Sequence, residues 1–204
     1  MRLHVADHVA RWTTSPFSAL DEPPWSTTAR APERVLAAIE GLAGGYRRLG
    51  ELAIHETARI EHGATLKGPV VIGPGCFVSG SALLRGGVFL EADCVVGPGV
   101  ELKSSLLFRG ARVAHLSFVG DSILGEDVNL EAGAVIANHR NELAEPRIRI
   151  AFGADVIDTG ADRFGALVGD HGRIGANAVI APGAILEPRT VVPRLALVDQ
   201  RPER

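Results

Sequence analysis

Aliphatic residues recur throughout this sequence, so the polar residues that interrupt their repetition stand out. The densest group is Arg85, Lys103, His115, Asp121, Asn129, Asn138 and His139. His115 lies in Ala-His-Leu-Ser-Phe-Val-Gly-Asp. Histidine titrates near neutrality, which suits a general base taking a proton from an attacking amine. The competing reading of a lone histidine is a hydrogen-bonded structural residue. Arg85 and Lys103 stand 18 residues apart, and Lys103 is one of only two lysines in the chain. If residues at that separation stack, the two cations make a clamp suited to a phosphate. Two solvated surface charges are the alternative. His4, His8, His55, His62 and His171 are more scattered. No Gly-x-Ser-x-Gly or Walker sequence occurs, so direct transfer between two bound substrates is simpler than a nucleophilic serine or cysteine mechanism.

The elements that position these residues follow from a repeat. Aliphatic residues recur every sixth position at Ile54, Ile60, Leu66, Ile72, Val78, Leu84, Leu90, Val96 and Leu102, with Phe108 and Ala114 continuing the phase. A one-residue slip beside His115 precedes Leu124, Leu130 and Ile136, and a longer interruption precedes Val168, Ile174, Ile180, Leu186 and Val192. Small residues follow four places later at Ala58, Ala64, Cys76, Ala82 and Cys94. A period of six fits neither a helix nor an alternating strand, but three hexads make one triangular coil of about 18 residues. The expected fold is therefore an all-β solenoid, a parallel β-helix with corners at Gly73-Pro74-Gly75, Gly97-Pro98-Gly99 and Pro182-Gly183. Residues one coil apart should stack at about 4.8 Å, which places Cys76 and Cys94 in a ladder of buried thiols. Two cysteines make neither a disulfide framework nor a zinc ribbon. A slip beside His115 would make a bulge able to re-aim a side chain.

Residues 1–53 break the repeat. Trp12 to Trp25 carries Pro16, Pro23 and Pro24 and reads as loop. Pro32 then opens an apolar-periodic segment, Val35, Leu36, Ile39 and Leu42, ending near Gly44-Gly45: a short amphipathic helix expected to cap the first coil. The solenoid should occupy 54–204, with an inserted arm at about 139–167. Arg147-Ile148-Arg149-Ile150 alternates like a strand, so an ordered arm reaching a neighbouring subunit is expected.

Composition narrows the function classes. The chain has 204 residues, 46% hydrophobic, with 24 glycines that never fall at every third position, which excludes disorder and collagen. A net charge of -3 gives no electrostatic reason to bind nucleic acid or an anionic membrane. No run of 18 apolar residues exists to span a bilayer, and Met1-Arg2-Leu3-His4 does not open a signal peptide. The expected location is the cytoplasm.

His115-Leu-Ser-Phe-Val-Gly-Asp-Ser, followed by Gly125-Glu-Asp-Val-Asn129-Leu-Glu-Ala132-Gly133 and Ala137-Asn138, resembles one branch of the hexapeptide-repeat acyltransferases. That branch is the acetyltransferase domain of bifunctional sugar-1-phosphate nucleotidylyltransferases, including the glucosamine-1-phosphate acetyltransferases. The resemblance covers roughly 54–192. It implies a left-handed coil, a homotrimer with the active site between subunits, and transfer from acetyl-CoA as co-substrate to an amino-sugar phosphate, either a hexosamine 1-phosphate or a nucleotide-linked amino sugar. No metal is implied. It places the catalytic base on His115, sugar and phosphate contacts on Arg85, Lys103 and Asn129, and acetyl-CoA contacts on Ala132, Asn138, His139 and Ala176. Phe118 stands where the family usually has a substrate-contacting tyrosine, His139 where bacterial members have another, and Glu131 replaces a glycine. Lysines that follow the asparagine in the family are absent, with Arg147 and Arg149 as substitutes. The 53 residues before the repeat are too few for a nucleotidylyltransferase domain. Two other readings stay open. One is a non-catalytic hexapeptide-repeat binding or regulatory module. The other is a zinc enzyme like the carbonic anhydrases of this fold, which needs one histidine distant in sequence and two close together. His115, His139 and His171 are each more than 20 residues apart.

Overall fold

The structure is a computed structural model that describes residues 3–202. Met1, Arg2, Glu203 and Arg204, the ends of the two expected units and part of the stretch read for a leader, lie outside the described residues. From Leu52 onward, short strands pair in parallel with those one coil away, building a three-sided solenoid. The first side holds Leu52–His55, Val70–Ile72, the second halves of Leu83–Leu90 and Glu101–Leu107, then Ile123–Leu124, Ala166–Val168 and Ala184–Leu186. The second side has seven strands, from Arg59–Ile60 through Arg112–Val113 and Asn129–Leu130 to Arg173–Ile174 and Val191–Val192. The third side runs from Thr65–Lys67 through the first halves of the two long strands to Phe118–Gly120, Val135–Ile136, Val179–Ile180 and Leu197–Val198. No described helix is long and apolar enough to cross a membrane.

The hexad aliphatics fill the interior, with Cys76, Ala82 and Cys94 in the small slots. The expected phase holds to Leu102 and then shortens twice. Leu107 and Val113, not Phe108 and Ala114, point inward, and a second residue is lost between Val119 and Leu124. Pairing accordingly steps by 18 at Arg85↔Lys103 but by 17 at Val88↔Ser105 and at Glu101↔Phe118. Both losses fall at the corner joining the third side to the first, and serines make them tolerable. The Ser105 hydroxyl donates to the Lys103 carbonyl and accepts from the Ser122 N–H. Ser122 does the same with Gly120 and Ala166 one coil on, so hydroxyls replace backbone partners where the chain is one residue short.

The first side is buried on both faces. Ala53, Val71, Phe89, Leu106, Ile123, Leu167 and Ile185 alternate with the inward residues and are covered from outside. A 3-10 turn at Ala10–Thr14 and helices α1 (Pro24–Ala29) and α2 (Ala31–Gly41) lie along this flank, so the segment expected as loop is partly helical. In α2, Ala31, Val35, Ala38 and Ile39 make the buried stripe, while Leu36 turns outward. Gly87, at φ +87, permits this docking, because a Cβ there would sit 2.4 Å from the Ala31 carbonyl carbon. The helix therefore covers the flank and not, as expected, the open end. A helix satisfies its own backbone and cannot pair a sheet edge. The strand Tyr46–Leu49 does that, antiparallel on Leu52–His55.

Within the inserted segment, Arg149–Phe152 and Asp155–Asp158 form an antiparallel hairpin. Ile148 and Ile150 are fully buried against the first side, and Arg147 and Arg149 face Asp158. The apolar half of the alternation is thus used within the chain and leaves the expected reach to a neighbour without these residues.

Candidate functional site

Three residues singled out in the sequence meet at the corner between the second and third sides. Leu116 donates its N–H to the Pro98 carbonyl, Gly133 to that of His115, and Asn177 to that of Ala132, at 2.9, 2.9 and 3.0 Å. His115, Ala132 and Ala176 therefore stack on successive coils at about 4.8 Å spacing. The His115 ring is exposed and has no hydrogen-bond partner among the described residues. This corner keeps the regular six-residue step from Val113 to Val119, so the bulge expected beside His115 is absent. The shortening sits at the next corner, where serine hydroxyls can compensate for it.

On the adjoining second side, Asn129 projects outward and exposed. Glu131, which stands where the resemblance has glycine, is fastened to the corner: Arg194 Nε and the Ala176 N–H donate to it at 2.7 and 2.9 Å. The Arg194 hydrogen bond and the Ala176 N–H hold the Glu131 carboxyl below its ordinary range.

The remaining candidates gather at the third corner. Arg85 and Lys103 are register partners, as their spacing predicts. Neither charge stands free. Arg85 Nε donates to Glu101 at 2.7 Å, and Lys103 Nζ lies 2.8 and 2.7 Å from the two Asp121 oxygens. Asn138 donates its amide to the same carboxylate, which is only 5% exposed. The Arg85 pair is partly exposed and worth at most about 1 kcal/mol, whereas removing one partner of a buried pair costs about 3–5 kcal/mol. His139 bonds the Asp162 carbonyl at 3.0 Å. Phe118 lies half-buried on the outer face of the third side, between Glu101 and Val135.

One face thus separates two clusters. His115, Ala132, Ala176 and Asn129 lie at one end of the third side, and Arg85, Lys103, Asn138 and His139 at the other. At about 3.3 Å per residue, the six steps from His115 to Asp121 span on the order of 15–20 Å. His171 sits at yet another corner, 3.7 Å from Asp127, so His115, His139 and His171 do not converge within the chain. Among the described residues no group of three His, Cys, Asp or Glu could hold a metal. Sequence reading missed the anchoring role of Asp121, although Asp121 was in its polar group. It also missed Arg112 and Arg173, the register neighbours of Asn129. Counting by 18 hides both, because the steps there are 17 residues and, across the arm, 44.

No protein-family model matches the chain. Its sequence is similar to a bifunctional sugar-1-phosphate nucleotidylyltransferase/acetyltransferase of Sulfurisphaera tokodaii, 41% identical over 73 residues, covering 36% of this chain and 18% of that protein. It is 31% identical over 151 residues to the putative uncharacterized acetyltransferase YaiX of Escherichia coli, covering 74% and 65%. The bifunctional protein GlmU of Methanococcus vannielii is 32% identical over 93 residues, covering 46% and 22%. The chain spans between 18% and 65% of the length of these relatives. A solved structure of the polysialic acid O-acetyltransferase OatWY aligns with TM-score 0.47 at 16% identity over 76% of this chain and 78% of that one.

Proposed function

The chain resembles the hexapeptide-repeat acyltransferases, and we propose that it transfers an acetyl group from acetyl-CoA to the amine of an amino-sugar phosphate or nucleotide-linked amino sugar. The observation that carries this reading is the stack of His115, Ala132 and Ala176 at one corner, with Asn129 exposed beside it. The acetyltransferases among its sequence relatives support it. His115 takes the proton as the amine attacks the thioester carbonyl. A C–N bond forms, the C–S bond breaks, and the departing CoA sulfur recovers the proton from the imidazolium. Most of the rate comes from holding amine and thioester together, and the base adds about 10²- to 10⁴-fold.

The working unit in this reading is a cytoplasmic homotrimer. Within one chain the Lys103–Asn138 corner lies a full side away from His115, so only a neighbouring copy can bring it to the base. Exposed Leu116, Val179, Leu195 and Leu197 on and beside that side suit such a contact. Free buried thiols suit a reducing compartment. The rival, a non-catalytic module, draws support from Phe118 and from the engagement of Lys103 by Asp121.

Thiol release from acetyl-CoA, measured against hexosamine 1-phosphates and nucleotide-linked amino sugars, tests the proposal. Release should depend on one acceptor and fall at least a hundredfold in a folded His115→Ala protein. Acetyl-CoA binding without release would mean that the acceptor or the acyl group is a different one, whereas absence of both binding and release would favour the non-catalytic module.

A further inference from the structure

We infer that a phosphate of the bound ligand is held by Arg112 and Arg173, on either side of Asn129, at a site separate from the Arg85–Lys103 corner. Parallel pairing sets Arg112 against Asn129 and Asn129 against Arg173, so all three project from the same outer face of the second side. At about 4.8 Å per step the two arginines start about 10 Å apart, within the span over which two long guanidinium side chains can converge on one anion above the asparagine. Both are exposed, and neither guanidinium has a partner among the described residues. Their outer neighbours in the ladder are Val95 and Val191, so the cationic pair is bounded by apolar residues on both sides.

A cavity of about 260 Å³ opens on the Arg173 side of this row, lined by Asn129, Glu131, Arg173, Gly175, Pro193 and Arg194 among others, with Arg112 one coil beyond Asn129 at its edge. Its one carboxylate does not oppose an anion, because Arg194 holds Glu131 through two bonds of 2.7 and 2.8 Å. The cavity adjoins Ala176, and Arg112 is three residues before His115 on the same coil, so a phosphate there lies beside the proposed base within a single chain. At the third corner a phosphate must displace Glu101 from Arg85 and buried Asp121 from Lys103. At the second side it displaces only water. Planar guanidinium forks also suit bidentate phosphate contacts.

This inference rests on the acetyltransferase reading for the ligand class but not for its test, which reads binding as well as turnover. The phosphate can belong to the acceptor or to CoA. Calorimetric titration of wild-type protein and of Arg112→Gln/Arg173→Gln with hexosamine 1-phosphate, the free hexosamine, CoA and dephospho-CoA separates the sources. Circular dichroism should report an unchanged fold, because both side chains are on the surface. The double variant should lose at least tenfold in affinity for one phosphorylated ligand and none for the counterpart that lacks one phosphate, the free hexosamine or the dephospho-CoA that keeps only the diphosphate. Loss confined to hexosamine 1-phosphate assigns the site to the acceptor, and loss confined to CoA assigns it to the donor. Equal affinities in both proteins, or wild-type protein that binds none of the phosphorylated ligands, overturn the inference. If binding behaves as expected but no acetyl group moves, the acetyltransferase reading fails and the phosphate site stands.

Discussion

Lys103 Nζ rests between the two carboxylate oxygens of Asp121, 2.8 and 2.7 Å away, although the two residues belong to successive coils. The Asp121 N–H also donates to the Lys103 carbonyl at 2.7 Å, so backbone and side chain tie the same pair. Asp121 has φ +46, a left-handed conformation that aspartate tolerates better than most residues. Asn138, whose amide shares this carboxylate, opens the inserted arm. A single buried charge therefore sets the relative position of two candidate site residues and of the start of the arm.

That arrangement makes the pair energetically coupled. Asp121→Asn keeps the backbone preference and removes the charge, and Lys103→Met removes the cation with little change in length. Each single change should cost about 3–5 kcal/mol, because it leaves the remaining charge of a buried pair without its partner. The double variant should be more stable than their sum implies, by about 1 kcal/mol or more. Urea melts of the four proteins give the coupling directly. Additive losses would mean that the contact contributes no stability.

The solenoid was legible because one side-chain class recurs at one period, and the period by itself specifies a closed triangular coil. The two shortened steps were not. Phe108 and Ala114 continue the phase in type, being apolar and small, yet the chain drops a residue after Leu102 and turns Phe108 out to meet Trp12 and Phe89. Only the clustered Ser104-Ser105 and Ser122 hint at a corner held by hydroxyls, and serine has many other uses. The same uncounted steps moved the apparent slip to His115 and concealed the row Arg112, Asn129 and Arg173. The stack of Arg85 on Lys103 was legible in the untouched region, but their carboxylate partners come from other coils and needed the register.

Phe108 consequently belongs to the flank and not to the interior of the coil. Phe108→Ala should cost about 3–5 kcal/mol, as burial of a large aromatic demands, and should loosen the N-terminal segment that Trp12 and Phe17 anchor. Limited trypsin digestion should then cut first at Arg11 or Arg30, while a core change such as Leu107→Ala should destabilise the chain without selective N-terminal cutting. Identical cleavage patterns in the two variants would contradict this division.

A second buried charge ties the start of the arm to the last coils. Arg140 is 1% exposed and donates to Asp199 at 2.6 and 3.1 Å and to the Pro182 carbonyl at 2.9 Å. The Arg140 hydrogen bond, against an opposing burial effect, holds the Asp199 carboxyl below its ordinary range. A carboxyl whose folded pKa is depressed contributes stability above its unfolded value, about 3.9, and loses that contribution as pH falls through the folded value. Between neutral pH and about 3, stability should therefore decline less steeply in Asp199→Asn than in the parent. Parallel curves for the two proteins, measured by chemical melting at several pH values, would remove Asp199 from the acid response.

The separation of His115 from Lys103 by one face yields the sharpest test of the trimer. If each site takes its base from one copy and its third corner from the next, His115→Ala and Lys103→Met proteins should each fail alone. Mixed and refolded together, they form interfaces that combine an intact histidine from one parent with an intact lysine from the other. Random assembly of a cyclic trimer places both intact residues at about a quarter of the interfaces, so about a quarter of wild-type turnover should return. A site contained within one chain predicts no recovery at any mixing ratio, because every chain carries one defect. A fully active Lys103→Met protein would instead remove the third corner from catalysis and leave His115 to work with Asn129 alone.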